Sequence, residues 1–293
     1  MAATYDRAVE DLGNIVALEH VNLTVPDQDL ATLFYVTGLG LTRDPYMMVS
    51  INNMWVNIGR SQFHLPTSKP QLIRGHMGIV IQSRAALLER LTRLRKRLGE
   101  TRFDFCEMDG YVEAVCPWGN HFRCYEPREQ FGRTTLGLAY VEFGVPPESA
   151  RGIAGFYSVY MGAPVRLSRD GRAVEVSVGD HQSLVFSETD APLGPYDGHH
   201  IQVYIANFSG PYQALQRRGL ISEESDQHQY RFRNIVDLET GRCLYQLEHE
   251  VRSMRHPLFM RPLVNRDPAQ NIMNYAPGRD AWIAQMPRAN GAH

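Results

Sequence analysis

The 293-residue chain contains only four cysteines, and no two of them are spaced as a CxxC pair. Four are too few for a disulfide scaffold in a chain of this length, and their spacing does not match a structural zinc site. Free cysteines of this kind usually behave as small buried hydrophobic residues. We therefore expect reduced thiols and a reducing compartment.

Long runs of one residue type are also absent. No stretch reaches the roughly 18 to 20 consecutive apolar residues that span a bilayer. The first residues, MAATYDRAVEDLGN, have neither the basic region nor the apolar region of a signal peptide. The 30 basic and 32 acidic residues are interspersed and leave a formal charge of -2, which argues against nucleic acid and membrane surfaces as partners. A cytoplasmic location is expected.

The strongest positive signal is a repeat between the two halves of the chain. HVNLTVP at 20–26 reappears as YVEFGVP at 140–146, and GHMGIVI at 75–81 reappears as HHIQVYI at 199–205. The separation stays close to about 120 residues, as expected for a duplicated structural unit. A chain this long also exceeds what one compact core usually holds.

A shorter unit recurs inside each half: an alternating strand, a helix and several short strands. The clearest helix carries leucines 87, 88, 91 and 94 with helical spacing. Each half then contains two βαβββ modules, so the sequence predicts an α+β fold of four modules in tandem. The predicted domains are residues 13–127 and 137–250, followed by an extended C-terminal tail, 251–293, whose prolines exclude a long helix.

Two segments carry a resemblance to a known superfamily. HVNLTVPD with FYVTGLGL resembles the opening strand, and PWGNHFRCYEP the closing hairpin, of the vicinal oxygen chelate superfamily, which includes glyoxalases, bleomycin-resistance proteins and extradiol dioxygenases. The resemblance implies two half-barrel domains, each formed by two modules around one site, and the four-module length is similar to type I extradiol dioxygenases. Because this fold hosts many reactions, the motifs are specific for fold and weak for activity.

The resemblance also implies metal ligands on the first and last strand of each module. In the N-terminal half the matching positions are His20, His64, His76 and, where the family carries glutamate, Arg123. The sequence thus predicts a three-histidine site for a divalent metal, with iron(II) as the expected ion. Arg123 would bind an anionic group of the substrate. The alternative is that these histidines are hydrogen-bonded barrel residues without a metal.

In the C-terminal half the matching positions are Tyr140, Leu184, His200 and Tyr245. This set does not suit a metal, but alternation along the strand adds Glu142 to the face of Tyr140. We predict that Tyr140, Glu142, His200 and Tyr245 meet in one pocket and, together with Arg123, form the catalytic set. They would do acid–base work or bind an aromatic ligand. A degenerate structural domain is the alternative.

The sequence leaves two main functions open. The first is a metal-dependent oxidoreductase that resembles ring-cleaving dioxygenases and acts on a small aromatic or enolisable substrate with vicinal oxygens. The second is a metal-free lyase or isomerase, or a protein that binds an aromatic natural product. A third, less favoured, is a scaffold without catalysis, because polar cavities are costly to keep. A homo-oligomer is expected.

Overall fold

The computed structural model describes residues 5–47 and 50–281 of the chain. The strands are β1 (Ile15–Asn22), β2 (Thr42–Arg43), β3 (Asn53–Ile58), β4 (Ser61–Pro66), β5 (Gly75–Val80), β6 (Asp104–Met108), β7 (Tyr111–Val115), β8 (His121–Tyr125), β9 (Gly137–Val145), β10 (Val165–Leu167), β11 (Ala173–Gly179), β12 (Gln182–Glu188), β13 (His200–Ile205), β14 (Ile221–Asp226), β15 (Gln229–Val236) and β16 (Cys243–Ser253). No helix within the described ranges is long and apolar enough to cross a membrane.

Helices follow the first strand of each group of four strands. They are α1 (Gln28–Ala31), α2 (Arg84–Leu98), α3 (Ala150–Phe156) and α4 (Ser209–Arg217). Two of them continue as π-helical turns, α1 over Thr32–Gly38 and α3 over Tyr157–Met161, and short 3-10 turns lie at Ala8–Glu10 and Glu129–Phe131. In every group the first strand pairs in parallel with the last strand. The α+β fold of four βαβββ modules is thereby confirmed.

The modules pair across the halves of the chain. Sheet I, in the order β14-β15-β16-β13-β1-β4-β3-β2, joins module one to module four, and sheet II, in the order β10-β11-β12-β9-β5-β8-β7-β6, joins module two to module three. The antiparallel pairs β1/β13 and β5/β9 form the two joints. The expectation that both modules of one half share a cavity is therefore wrong. It rested on the sequence repeat, which shows which modules are alike and does not show which modules pair. The boundaries 13–127 and 137–250 stay a prediction.

One face of each sheet belongs to a common apolar core. In β13, Ile201, Val203 and Ile205 enter this core, which also takes up the buried leucine stripe of α2. Each fully buried aliphatic side chain of this kind contributes about 1.5 to 3 kcal/mol. The alternate residues of β13 point to the opposite face, which is polar. Sheet I therefore presents a row of polar groups on the face that turns away from the core.

The described part of the tail, residues 254–281, forms turns and packs against module one. Leu258 lies in a small apolar cluster with Met47 and Trp55. Arg261 donates to the carboxylate of Asp44, and both side chains are buried. The tail therefore covers the segment that precedes β3. The predicted tail continues to residue 293, and its part beyond 281 lies outside the described residues.

Candidate metal centre

Three neighbouring strands of sheet I bring two imidazoles and a carboxylate together. His20 lies on β1, His200 on β13 and Glu250 on β16, and one potential ligand atom from each lies within 4.8 Å of the other two. His200 Nε2 is 3.6 Å from Glu250 Oε2. Ligand atoms that share one ion at about 2.0 to 2.2 Å lie roughly 3.0 to 3.5 Å apart. The three residues are therefore close to the spacing that one metal ion requires.

An irregularity in β1 shapes this centre. The pairing of β1 with β13 shifts between Leu18 and His20, so that Glu19 is an extra residue and contacts the polar face together with His20. Burial acts to raise the pKa of Glu19, but the neighbouring His20, whose Nδ1 lies 3.5 Å from Glu19 Oε2, and the charge of Arg252 outweigh it and hold this pKa below its usual value. The bulge therefore adds a carboxylate to the environment of the centre.

Several buried polar atoms at the centre have no hydrogen-bond partner in the part of the chain that the structure describes. They are both ring nitrogens of His20, Nε2 of His200 and both amide atoms of Gln202. His20 is only 1% exposed and Gln202 is fully buried. Native proteins rarely leave buried polar atoms unpaired unless an ion, water or a ligand satisfies them. The residues present therefore fit a bound metal ion.

Burial keeps the imidazoles of His200 and His64 in the neutral form. Burial, then the charges of His20 and Arg231, lower the pKa of His200 well below its ordinary value. Burial, followed by the charge of His20, also lowers the pKa of His64 to about 2. A neutral imidazole keeps the lone pair with which histidine coordinates metals.

The carboxylate of Glu250, a candidate metal ligand, is held by two arginines. Arg231 Nη2 lies 2.5 Å from Glu250 Oε2, and Arg252 Nη2 lies 2.6 Å from Glu250 Oε1. Arg231 also binds Glu248 at 2.7 Å, and Arg252 binds Glu19 at 3.2 Å. Three carboxylates thus alternate with two guanidinium groups, which leaves one net negative charge beside the histidines. This balance favours a cation at the centre.

His64, a predicted ligand, lies at the edge of the centre. Its ring is 5.9 Å from the ring of His20 and stacks on Trp55 at 3.7 Å. Its Nε2 lies 2.7 Å from the side-chain oxygen of Asn53 and donates to it. The other ring nitrogen therefore carries the lone pair. His64 is placed to contact a ligand next to the metal position.

A second polar cluster lies on sheet II, away from this centre. His76 Nε2 is 3.1 Å from the hydroxyl of Tyr140, which is 2.9 Å from the hydroxyl of Tyr125. His76 Nε2 is also 3.5 Å from Glu142, which accepts a hydrogen bond from Ser187 at 3.0 Å. Burial, then the charge of Arg123, lowers the pKa of His76 to about 4. This cluster contains neutral hydrogen-bonding groups and one carboxylate.

The cross-half pairing corrects two predicted groupings. His76 cannot complete a site with His20 and His64, because β5 belongs to sheet II while β1 and β4 belong to sheet I. For the same reason Tyr140 and Glu142 do not meet His200. Sheet I instead unites His200 with His20. The catalytic roles assigned to these residues stay predictions.

The two other predicted residues have different surroundings from those expected. Arg123 lies on β8 of sheet II, where its Nε is 3.6 Å from Glu113 and its guanidinium lies over the ring of Tyr111. Tyr245 belongs to the apolar core, where its ring packs near Phe143. Tyr245 was predicted to lie on the polar face, but it lies on the same side of β16 as Leu247 and Val251, which belong to the apolar core.

Glu250 was not among the predicted site residues. In CLYQLEHEVRS, the alternation of Glu248, Glu250 and Arg252 with Leu247 and Val251 is the signal that could have found it. The predicted domain ended at residue 250, so Glu250 lay at its boundary and the last three residues of β16 were assigned to the tail.

Solved structures share this arrangement of modules. A candidate dioxygenase from Bacillus subtilis matches with a TM-score of 0.55 and 16% identity over 83% of this chain and 86% of its own. Glyoxalase I from Zea mays matches with a TM-score of 0.55 and 13% identity over 80% of this chain and 92% of its own. No protein-family profile matches the sequence. No curated protein matches it either.

The chain has the vicinal oxygen chelate fold, as the sequence resemblance implied. The structural overlap establishes the fold, but at sequence identities this low it does not establish the reaction.

Proposed function

We propose that the chain is a metal-dependent oxidoreductase that acts on a small aromatic or enolisable substrate with two adjacent oxygens, at the centre formed by His20, His200 and Glu250. The observation that carries this proposal is the convergence of these three groups, while both ring nitrogens of His20 and Nε2 of His200 have no hydrogen-bond partner among the described residues. Two histidines and one carboxylate are the ligand set of non-haem iron(II) oxygenases.

A bound divalent ion would supply a Lewis-acidic centre with open positions for adjacent oxygens of a substrate. The residues around the three ligands have distinct roles in this proposal. Arg231 and Arg252 hold the Glu250 carboxylate in place through its two oxygens. His64 accepts a hydrogen bond from a substrate hydroxyl through its free lone pair, and Trp55, on which it stacks, forms an apolar wall for a ring.

A second candidate is proton transfer on an enolisable substrate, as in a lyase or isomerase. It is favoured by Glu248, whose Oε1 lies 3.9 Å from His200 Nδ1 on the same polar face. A carboxylate beside a metal position can accept a proton from carbon without any change in oxidation state. This candidate needs no dioxygen, and so one measurement separates the two.

The test is iron(II) binding under anaerobic conditions, followed by oxygen uptake with catechol as the probe substrate. The proposal expects one tightly bound ion per chain and catechol-dependent oxygen consumption. His20→Ala should lose both, while the matched control His76→Ala, which changes the same residue type on sheet II, should keep both. Metal binding without oxygen uptake would favour the lyase or isomerase. Failure to bind iron(II), zinc or manganese would overturn the metal site and favour a metal-free protein.

A further inference from the structure

The polar cluster of sheet II opens into a cavity of about 740 Å³. Its lining includes Tyr140 and Glu142 from β9, Val185 from β12 and Phe131 from the segment that links the halves. Small-molecule sites commonly have volumes of about 300 to 1,000 Å³ and combine apolar walls with a few polar groups. The cavity therefore has the size and the lining of a ligand site.

Within sheet II, this cavity occupies the position that corresponds to the candidate metal centre of sheet I. The joint between β1 and β13 places His20 opposite Gln202, and the joint between β5 and β9 places His76 opposite Glu142. On the parallel neighbour β12, the residue beside Glu142 is Val185, whereas β16 supplies Glu250 beside Gln202. Within the described residues, a set of three convergent ligands occurs in sheet I and is not repeated in sheet II. The equivalent position therefore suits a ligand other than a metal.

A glycine on β5 determines the position of the Tyr140 ring in the cavity wall. Gly78 faces Tyr140 across the joint, and a Cβ added to Gly78 would lie 1.9 to 2.4 Å from atoms of the tyrosine ring. The ring can rest on β5 only because residue 78 has no side chain. Its hydroxyl is held between Tyr125 and His76. Tyr140 is thus a positioned aromatic surface at the edge of the cavity.

The charge of the cavity identifies the kind of ligand. Among the described residues, His76 is the one basic side chain within 4.0 Å of the Glu142 carboxylate. The pKa of His76 is lowered to about 4, mainly by burial, so this imidazole is neutral at pH 7 and does not balance the charge. Of the other charged residues in the lining, Arg166 pairs with Glu175, and Asp180 lies 3.6 Å from His181, while Asp11 adds a further carboxylate at the rim. Glu142 therefore stands as a carboxylate without a cationic partner beside an aromatic ring.

We propose that this cavity is a second, metal-free binding site for an organic ammonium ion with an aromatic or flat apolar body. The ammonium group pairs with Glu142, and the rings of Tyr140 and Phe131 contact the body of the ligand. An ammonium ion satisfies the unbalanced carboxylate, whereas an anion would be repelled by it. The site is independent of the metal centre in sheet I.

Calorimetric titration of the full chain, freed of metal with a chelator, tests this site. The probes are phenethylammonium, neutral 2-phenylethanol and anionic 3-phenylpropanoate, which share a ring and a similar length. We expect the ammonium to bind at least about tenfold more tightly than the other two. Glu142→Gln should remove at least about tenfold of that affinity, because the variant keeps the shape and loses the charge.

Two control variants separate local pairing from general charge and from folding. Asp11→Asn removes an exposed carboxylate at the rim of the same cavity and should change affinity by no more than about twofold, because solvent screens it. Ser187→Ala removes the hydrogen bond to Glu142 but keeps its charge, and should retain ammonium binding. Equal binding of the three probes, tighter binding of the anion, or an unchanged Glu142→Gln variant would each overturn the proposal. His20→Ala should bind the probe as before, so the outcome is separate from that of the metal centre.

Discussion

Arg261→Met should destabilise the chain by about 3 kcal/mol. Asp44 is fully buried and accepts hydrogen bonds from the backbone N–H groups of Tyr46 and Met47 and from Gln62. Loss of Arg261 leaves this buried carboxylate without a charged partner, which typically costs about 3 to 5 kcal/mol. The three remaining hydrogen bonds place the cost at the lower end.

At about 2 to 4 °C per kcal/mol for chains of roughly this size, the expected fall in Tm is about 6 to 12 °C. Differential scanning calorimetry at pH 7 measures it. The same variant should shift the fluorescence of Trp55 to the red, because the tail residue Leu258 packs against this ring.

Two variants make the Arg261 test decisive. Asp44→Asn combined with Arg261→Met should recover at least half of the lost stability, because the uncompensated charge is then gone. Arg60→Met, which removes an exposed arginine near the tail, should change stability by no more than about 0.5 kcal/mol. A cost below about 1 kcal/mol for Arg261→Met, or a double variant less stable than the single one, would refute the idea that this ion pair anchors the tail.

Three further predictions concern the two polar faces. A divalent metal at one hundred times its Kd should raise the unfolding free energy by about 2.7 kcal/mol; thermal denaturation should show this gain for His76→Ala and no gain for His20→Ala or Glu250→Gln. Gly78→Ala should cost about 1 to 3 kcal/mol in urea unfolding, because the new methyl group displaces the ring of Tyr140, and an unchanged midpoint would contradict the close packing. His76 has a folded pKa of about 4, below the 6.5 of the unfolded chain, so its contribution to stability is present above pH 6.5 and is lost as pH falls toward 4; a resonance of His76 that titrates near 6.5 in the folded chain would disprove this.

The sequence was sufficient to predict the elements and their order. Strand alternation and the leucine stripe of α2 reflect local periodicity, which is determined by which residues must be buried. The pairing of modules was not predictable in this way. Modules one and three resemble each other, as do modules two and four, but likeness between segments says nothing about which edges meet. The grouping of His76 with His20 failed for this reason.

The candidate site was predicted in part. His20 and His200 were both named from their strand positions, and the structure brings them into one centre. Glu250 was missed because it lay at the predicted boundary between domain and tail, and strand ends depend on tertiary pairing, which local sequence does not encode. Tyr245 was misplaced by a different error, one of register, since a shift of one residue exchanges the polar and the apolar face.

In the sequence, the strands of sheet II lie between the first and the last strands of sheet I, and this order has a consequence for biosynthesis. All strands of sheet II lie between residues 75 and 188. Sheet I consists of strands that precede this range and strands that follow it, and so it is complete only at Ser253. A chain that emerges from its N-terminus can therefore finish sheet II first, while one edge of β1 stays unpaired until β13 arrives. The proposed metal centre, for which His20 and Glu250 come from the first and last strands, should be among the last parts of the protein to form during translation.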